Sequence, residues 1–229
     1  TASAVACSFD PALVAEMAQA IAREAWNEDI SVLLGPGVNH KRSPLCGRNF
    51  EYFSEDPYLS GKMAAAMIRG IQKVGVSACA KHFAVNSQEE RRMALNAVLD
   101  ERTLREMYLT GFEIAVKEGK PGAVMSSYNE VNGTYANENP FLLKQILRKE
   151  WGFEGFVVTD WGGGNDFTEG IRNGSNLQMP GCGFYSAREL IRALKEGRIT
   201  EQEIDERVDE LLTAALTFPK HSAEEKHKL

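Results

Sequence analysis

The sequence predicts an α/β fold, a (β/α)8 TIM-like barrel that is incomplete in this chain, and three observations carry the prediction. Short apolar runs alternate with stretches of helical periodicity, the pattern of repeated β-α units around a parallel sheet. No strand-to-helix turn holds a phosphate-binding G-x-G-x-x-G, which disfavours the open nucleotide-binding alternative. Polar residues gather where strands end, at Lys81 and His82, Tyr128 and Asn129, and Asp160 and Trp161. That is where a barrel assembles its site.

In chain order, residues 2–7 are a candidate sixth strand. Asp10-Pro11 then opens a helix, with an acceptor side chain at the N-cap and a proline at N1 whose missing N–H costs nothing. Leu13, Met17, Ile21 and Ala25 recur at helical spacing behind it and predict one buried stripe. Residues 30–34 follow as a strand. Asp56-Pro57 opens a second helix with the stripe Leu59, Met63, Met67 and Ile71. The remaining strands are expected at 76–82, 123–128, 156–161 and 176–179, each short and apolar enough to be buried on both faces. Asp100 and Asn139-Pro140 start the helices between them. Five or six strands fall short of eight, so residues 1–219 read as a partial catalytic barrel and 220–229 as a polar tail or linker.

Composition narrows the function. With 32 acidic against 26 basic side chains and a net charge of −6, the chain lacks the positive field that nucleic acid or an anionic membrane demands. No apolar run approaches the ~20 residues of a membrane span, and residues 1–10 have no signal-peptide pattern, so the expected location is cytoplasmic. Cys7, Cys46, Cys79 and Cys182 are scattered without a C-x-x-C pair; they read as reduced, mostly buried thiols. Neither metal nor cofactor is expected.

Asp160 stands at the mouth of an apolar run, followed by Trp161 and three glycines that let a ligand approach the backbone. It is either a site carboxylate or a simple helix cap. Lys81 and His82 are adjacent, so both reach one site only if the strand ends or bends there. Residues 46–57 form a long connection dense in aromatic and charged side chains, which reads as a binding loop or as a local Arg48 salt bridge to Glu51 or Glu55. Glu89-Glu90-Arg91-Arg92 reads as a solvated charge cluster.

Taken in order, Leu34-Gly35-Pro36-Gly37-Val38-Asn39, the run from Gly47 to Pro57 (GRNFEYFSEDP), Lys81-His82-Phe83, Ser127-Tyr128-Asn129 and Thr159-Asp160-Trp161 resemble glycoside hydrolase family 3 of the β-glucosidase type. The resemblance implies a retaining β-glycosidase hydrolysing terminal non-reducing β-D-glucosyl residues through a covalent glycosyl-aspartate intermediate. It implies Asp160 as nucleophile, Arg48, Lys81 and His82 on substrate hydroxyls, Tyr128 in a positioning role and Trp161 stacked on the sugar. A cationic neighbour such as Lys81 is expected to keep Asp160 ionised, and a second acid about 5 Å away must protonate the leaving oxygen.

Two family features are missing: an Asp-Gly-Pro segment upstream of Asp10, and the acid/base glutamate of a second α/β domain. The family's other branch expects Pro-Gly-His after Lys-His-Phe, where this chain reads Ala84-Val85-Asn86-Ser87. The expected partners are therefore a β-glucoside or oligosaccharide substrate and a second α/β domain or companion segment that completes the barrel and supplies the acid/base. A catalytically incomplete sugar-binding fragment is the alternative, followed by a Schiff-base aldolase using Lys81.

Overall fold

The computed structural model describes residues 1–217. Among these residues the strands run in chain order as β1 (Val32–Leu33), β2 (Ser77–Phe83), β3 (Asn96–Ala97), β4 (Ala123–Ser126), β5 (Glu130–Val131), β6 (Thr134–Tyr135) and β7 (Phe156–Thr159). The helices are α1 (Ala2–Ala6), α2 (Pro11–Asn27), α3 (Pro57–Lys73), α4 over 101–119, α5 (Phe141–Glu150), α6 (Phe167–Asn173), α7 (Phe184–Lys195) and α8 (Glu201–Thr217). The α4 stretch alternates α and π turns and α5 is wound as a π-helix.

A four-stranded sheet in the order β1-β2-β4-β7 is parallel throughout, and helices fill its crossovers. This is an arc of a (β/α)8 barrel. Its two faces follow the period of 2. Ala78, Ala80, Val124 and Val157 pack under the helices, while Cys79, Met125 and Val158 meet Val32, Leu177 and Met179 on the other face. The small mixed sheet β3-β5-β6 lies beyond the strand tips in sequence and contributes no site side chain.

All four helix starts hold. The Asp10 carboxylate accepts from the Ala12 and Leu13 N–H groups, Asp56 from Tyr58, Asp100 from Thr103, and Asn139 Oδ1 from Phe141 and Leu142. Three other expectations are corrected. Residues 2–7 are not a strand but helix α1, capped by the Thr1 hydroxyl, because alternating alanines favour a helix over a pleat. The 176–179 run takes the fifth place in the sheet through a single bridge, Leu177 to Val158. Side chains extend the pairing beside the main-chain bonds: Val157 N–H donates to Asn176 Oδ1 at 2.8 Å and Met179 N–H to Thr159 Oγ1 at 2.8 Å.

The third correction concerns α2, whose buried stripe is Val14, Ala18, Ala22 and Ala25 rather than Leu13, Met17 and Ile21. Leu13 is exposed and the other two are half-buried. The reason is α3. A Cβ on Gly70 would stand 2.4 Å from the Ala15 carbonyl oxygen and 2.7 Å from Ala18 Cβ, so the helices meet along their smallest residues.

Of the free cysteines, Cys46 and Cys79 are buried, but Cys7 and Cys182 are exposed. No helix among the described residues is long and apolar enough to cross a membrane. The tail expected at 220–229 lies outside the described residues.

Candidate active site

The tips of β2, β4 and β7 and the loop after β1 bring the expected residues together. At β2 the pairing with β4 shifts between Lys81 and Phe83, so His82 leaves the ladder. The Lys81–His82 and Phe83–Ala84 peptides are cis. Asn39 takes over the freed main chain: His82 N–H donates to Asn39 Oδ1 at 2.7 Å, and Asn39 Nδ2 donates to the His82 carbonyl at 2.8 Å. The bulge is how two adjacent side chains reach one site.

Arg48 is the hub. Its Nε binds the Glu51 carboxylate, its Nη2 lies 2.7 Å from His82 Nε2, and its Nη1 lies 3.7 Å from Asp160 Oδ2. Burial pulls the guanidinium pKa down, but the Glu51 hydrogen bond and the neighbouring negative charges, Asp160 included, carry it above its ordinary value. The local Arg48–Glu51 bridge is present, and it does not take Arg48 out of the cluster at the strand tips. Lys81 Nζ lies 3.4 Å from the other oxygen of Glu51. The cation within ion-pair distance of Asp160 is therefore Arg48, where the sequence pointed to Lys81.

His82 is 1% exposed. Because a guanidinium only donates, Nε2 must accept from Arg48, which puts the ring proton on Nδ1, 3.1 Å from the Tyr52 hydroxyl. Burial, then the positive charges of Arg48, Lys81 and Arg92, push its pKa down to about 2. The 3.6 Å approach of Nε2 to Asp160 Oδ2 is accordingly a neutral contact rather than an ion pair.

An unfolded histidine takes a proton below pH ~6.5 whereas folded His82 does not until about pH 2, so acid favours the unfolded chain. This contribution is complete above pH ~6.5 and lost on the way down, by on the order of 1 kcal/mol per pH unit. Melting temperatures at pH 7.5 and 5.5 are expected to fall more steeply in the wild type than in His82→Asn. Equal slopes would refute the neutral assignment.

Asp160 is the first residue beyond β7 and is 8% exposed. Its N–H donates to the Ser126 carbonyl at 3.2 Å, its carbonyl accepts from Gly163 N–H at 2.8 Å, and Oδ1 accepts from Trp161 N–H at 2.8 Å. Oδ2 is buried and accepts no hydrogen bond. One oxygen is tethered and the other is left free beside a cation. Tyr128 donates its hydroxyl to the Trp161 carbonyl at 2.8 Å, and burial followed by the Asp160 charge raises its pKa. The Trp161 side chain is 43% exposed, available as a platform.

Asn39 and Tyr52 complete the site as supports that side-chain chemistry alone did not single out, their only signal being membership of the motif runs, whereas Glu51 was already legible as a charge partner for Arg48. A cavity of about 420 Å³ reaches the cluster at Lys81 and Glu51. A roomier one of about 560 Å³, lined by Ser3, Cys7, Lys41 and Glu55, has no wall from Asp160, Lys81 or His82, so volume alone does not mark the chemistry. Among the described residues no group of three or more His, Cys, Asp or Glu side chains is placed to hold a metal ion.

Residues 1–214 match the glycosyl hydrolase family 3 N terminal domain. The chain is 49% identical over 212 residues to thermostable beta-glucosidase B of Acetivibrio thermocellus, covering 93% of this chain and 28% of that protein. It is 44% identical over 204 residues to an exo-alpha-(1->6)-L-arabinopyranosidase of Bifidobacterium breve, covering 89% of this chain and 27% of the relative. The structure of beta-glucosidase 3B from Thermotoga neapolitana with glucose superposes with a TM-score of 0.91 at 44% identity, over 97% of this chain and 33% of that one. The chain thus spans about a quarter to a third of the length of these relatives. It belongs to glycosyl hydrolase family 3, within the N-terminal domain of that family.

Proposed function

We propose that the enzyme to which this barrel belongs is a retaining β-glycosidase of the β-glucosidase kind, acting on terminal non-reducing β-D-glucosyl residues. The observation that carries the reading is the Asp160 carboxylate, held by backbone at Oδ1 and unbonded at Oδ2 beside Arg48. Oδ2 attacks the anomeric carbon while the bond to the leaving oxygen breaks, and that oxygen takes a proton from an acid outside this chain. A water then displaces Asp160, its proton passing to the same group, and the sugar leaves with its configuration restored.

In this reading Arg48, Lys81 and His82 meet sugar hydroxyls, Tyr128 holds the turn behind the nucleophile, and Trp161 stacks on the ring. A second α/β domain supplies the acid/base and further parts complete the barrel, in keeping with the small share of each relative that the chain covers. The aldolase alternative needs a free amine, whereas Lys81 Nζ faces the Glu51 carboxylate at 3.4 Å.

The test is the first-formed anomer. NMR of the complete enzyme turning over an aryl β-glucoside is expected to show β-glucose before mutarotation. An α-anomer would replace the retaining mechanism with an inverting one. Binding without any release of the aryl group would favour the sugar-binding alternative.

A further inference from the structure

We infer that Glu89 and Arg92 form a positioning pair that holds the Tyr128 ring against the turn carrying Asp160 and Trp161, a role that rests on the glycosidase reading above. The sequence run 89–92 looks uniform, and the structure divides it. Glu90 and Arg91 are exposed, as a solvated cluster should be, while Glu89 and Arg92 are half-buried. Arg92 Nη1 binds Glu89 Oε2 at 2.7 Å, and its guanidinium carbon stands 4.6 Å from the centre of the Tyr128 ring. That is cation–π distance.

The ring is also gripped by main chain. A Cβ on Gly163 would lie 3.2 Å from Tyr128 Cδ1 and 3.1 Å from the Asp160 carbonyl oxygen, so Tyr128 packs directly on the turn that follows the carboxylate. Its hydroxyl finishes the contact on the Trp161 carbonyl. Glu89 extends the link to the opposite wall: its Cγ is 3.9 Å from where a Gly47 Cβ would stand, at the start of the Arg48 loop. A line of contacts therefore runs from Glu89, which borders the Arg48 loop, through Arg92 and Tyr128 to the peptide beside the nucleophile. The charge of Arg92 also acts within the site, adding to the downward push on the His82 pKa and partly offsetting the rise at Tyr128. Arg92 works through Tyr128, which makes it a positioning residue.

The experiment uses the complete enzyme and an aryl β-glucoside. Arg92→Met is expected to lower kcat/KM about tenfold, the scale of one partly desolvated cation–π contact, with the melting temperature little changed. Arg92→Lys, which keeps a cation over the ring, is expected to recover part of the loss. In a Tyr128→Ala background, Arg92→Met is expected to cost nothing further, a coupling that a general structural role would not produce. Full activity of Arg92→Met, or additive losses in the double variant, would overturn the pair. Should Arg92→Met fail to fold, Glu89→Gln weakens the same link while keeping Arg92, and the same cycle with Tyr128→Ala decides. Wild-type turnover is the control that separates the two ideas. If the wild type is inert the glycosidase reading falls, and if it is active while the variants match it only the pair falls.

Discussion

Replacing Asp160 by asparagine in the complete enzyme is expected to lower kcat on an aryl β-glucoside on the order of 10⁴-fold, the scale of losing one member of a catalytic constellation. Asparagine keeps the size of the side chain and an oxygen for the Trp161 N–H, so the backbone bonds to Ser126 and Gly163 survive and the melting temperature should barely move. What disappears is the anionic Oδ2, the atom with no hydrogen bond of its own. A 2-fluoro β-glucoside, whose intermediate hydrolyses slowly, is expected to attach to Asp160 in the wild type and to leave the variant unlabelled. Mass mapping of the label onto any other carboxylate would end the assignment.

Loss of Arg48 should be the second largest effect, and it should appear in stability as well as rate. Arg48→Met leaves the Glu51 and Asp160 carboxylates without the cation that now lies within reach of both, in side chains that are only 17% and 11% exposed. Glu51 keeps Lys81 at 3.4 Å, but Asp160 is left a largely buried charge that is neither solvated nor matched, a loss that costs about 3 kcal/mol. His82 Nε2 also loses its donor, and with it the reason for keeping its proton on Nδ1. A fall in melting temperature together with a drop in kcat/KM on the order of 10²-fold is expected. Arg48→Lys should lie between, since a point charge cannot serve Glu51, His82 and Asp160 from three nitrogens at once. An Arg48→Met enzyme within a few fold of wild type, melting normally, would remove Arg48 from the hub.

How much of this was legible in the sequence depended on range. The caps at Asp10, Asp56, Asp100 and Asn139 were readable because each is settled within three residues. Strand positions were readable because burial on both faces leaves an apolar run. The α2 stripe was misread because the decisive neighbour, Gly70, is on another helix, and only there does alanine become a better contact than leucine. The site showed the same divide. Asp160, Arg48, Lys81, His82, Tyr128 and Trp161 stood out as chemistry at strand ends or within motif runs. The supports of His82, namely Asn39 and Tyr52, act across 43 and 30 residues, and nothing local in either segment announces the partner. Arg92 was hidden by its company, since half of its charged run is indeed solvated.

The alanine-and-glycine seam between α2 and α3 has a mechanical corollary. Where main chain rests almost directly on main chain, spacing cannot drift through rotamer exchange, so this outer wall serves as a rigid datum behind β1 and β2. If the proposed glycosidase function holds, breathing of the pocket as substrate enters and product leaves is expected to be confined to the connections above the strand tips. Crystal soaks with ligands of different bulk should show those connections shifting while the helix pair stays superimposable.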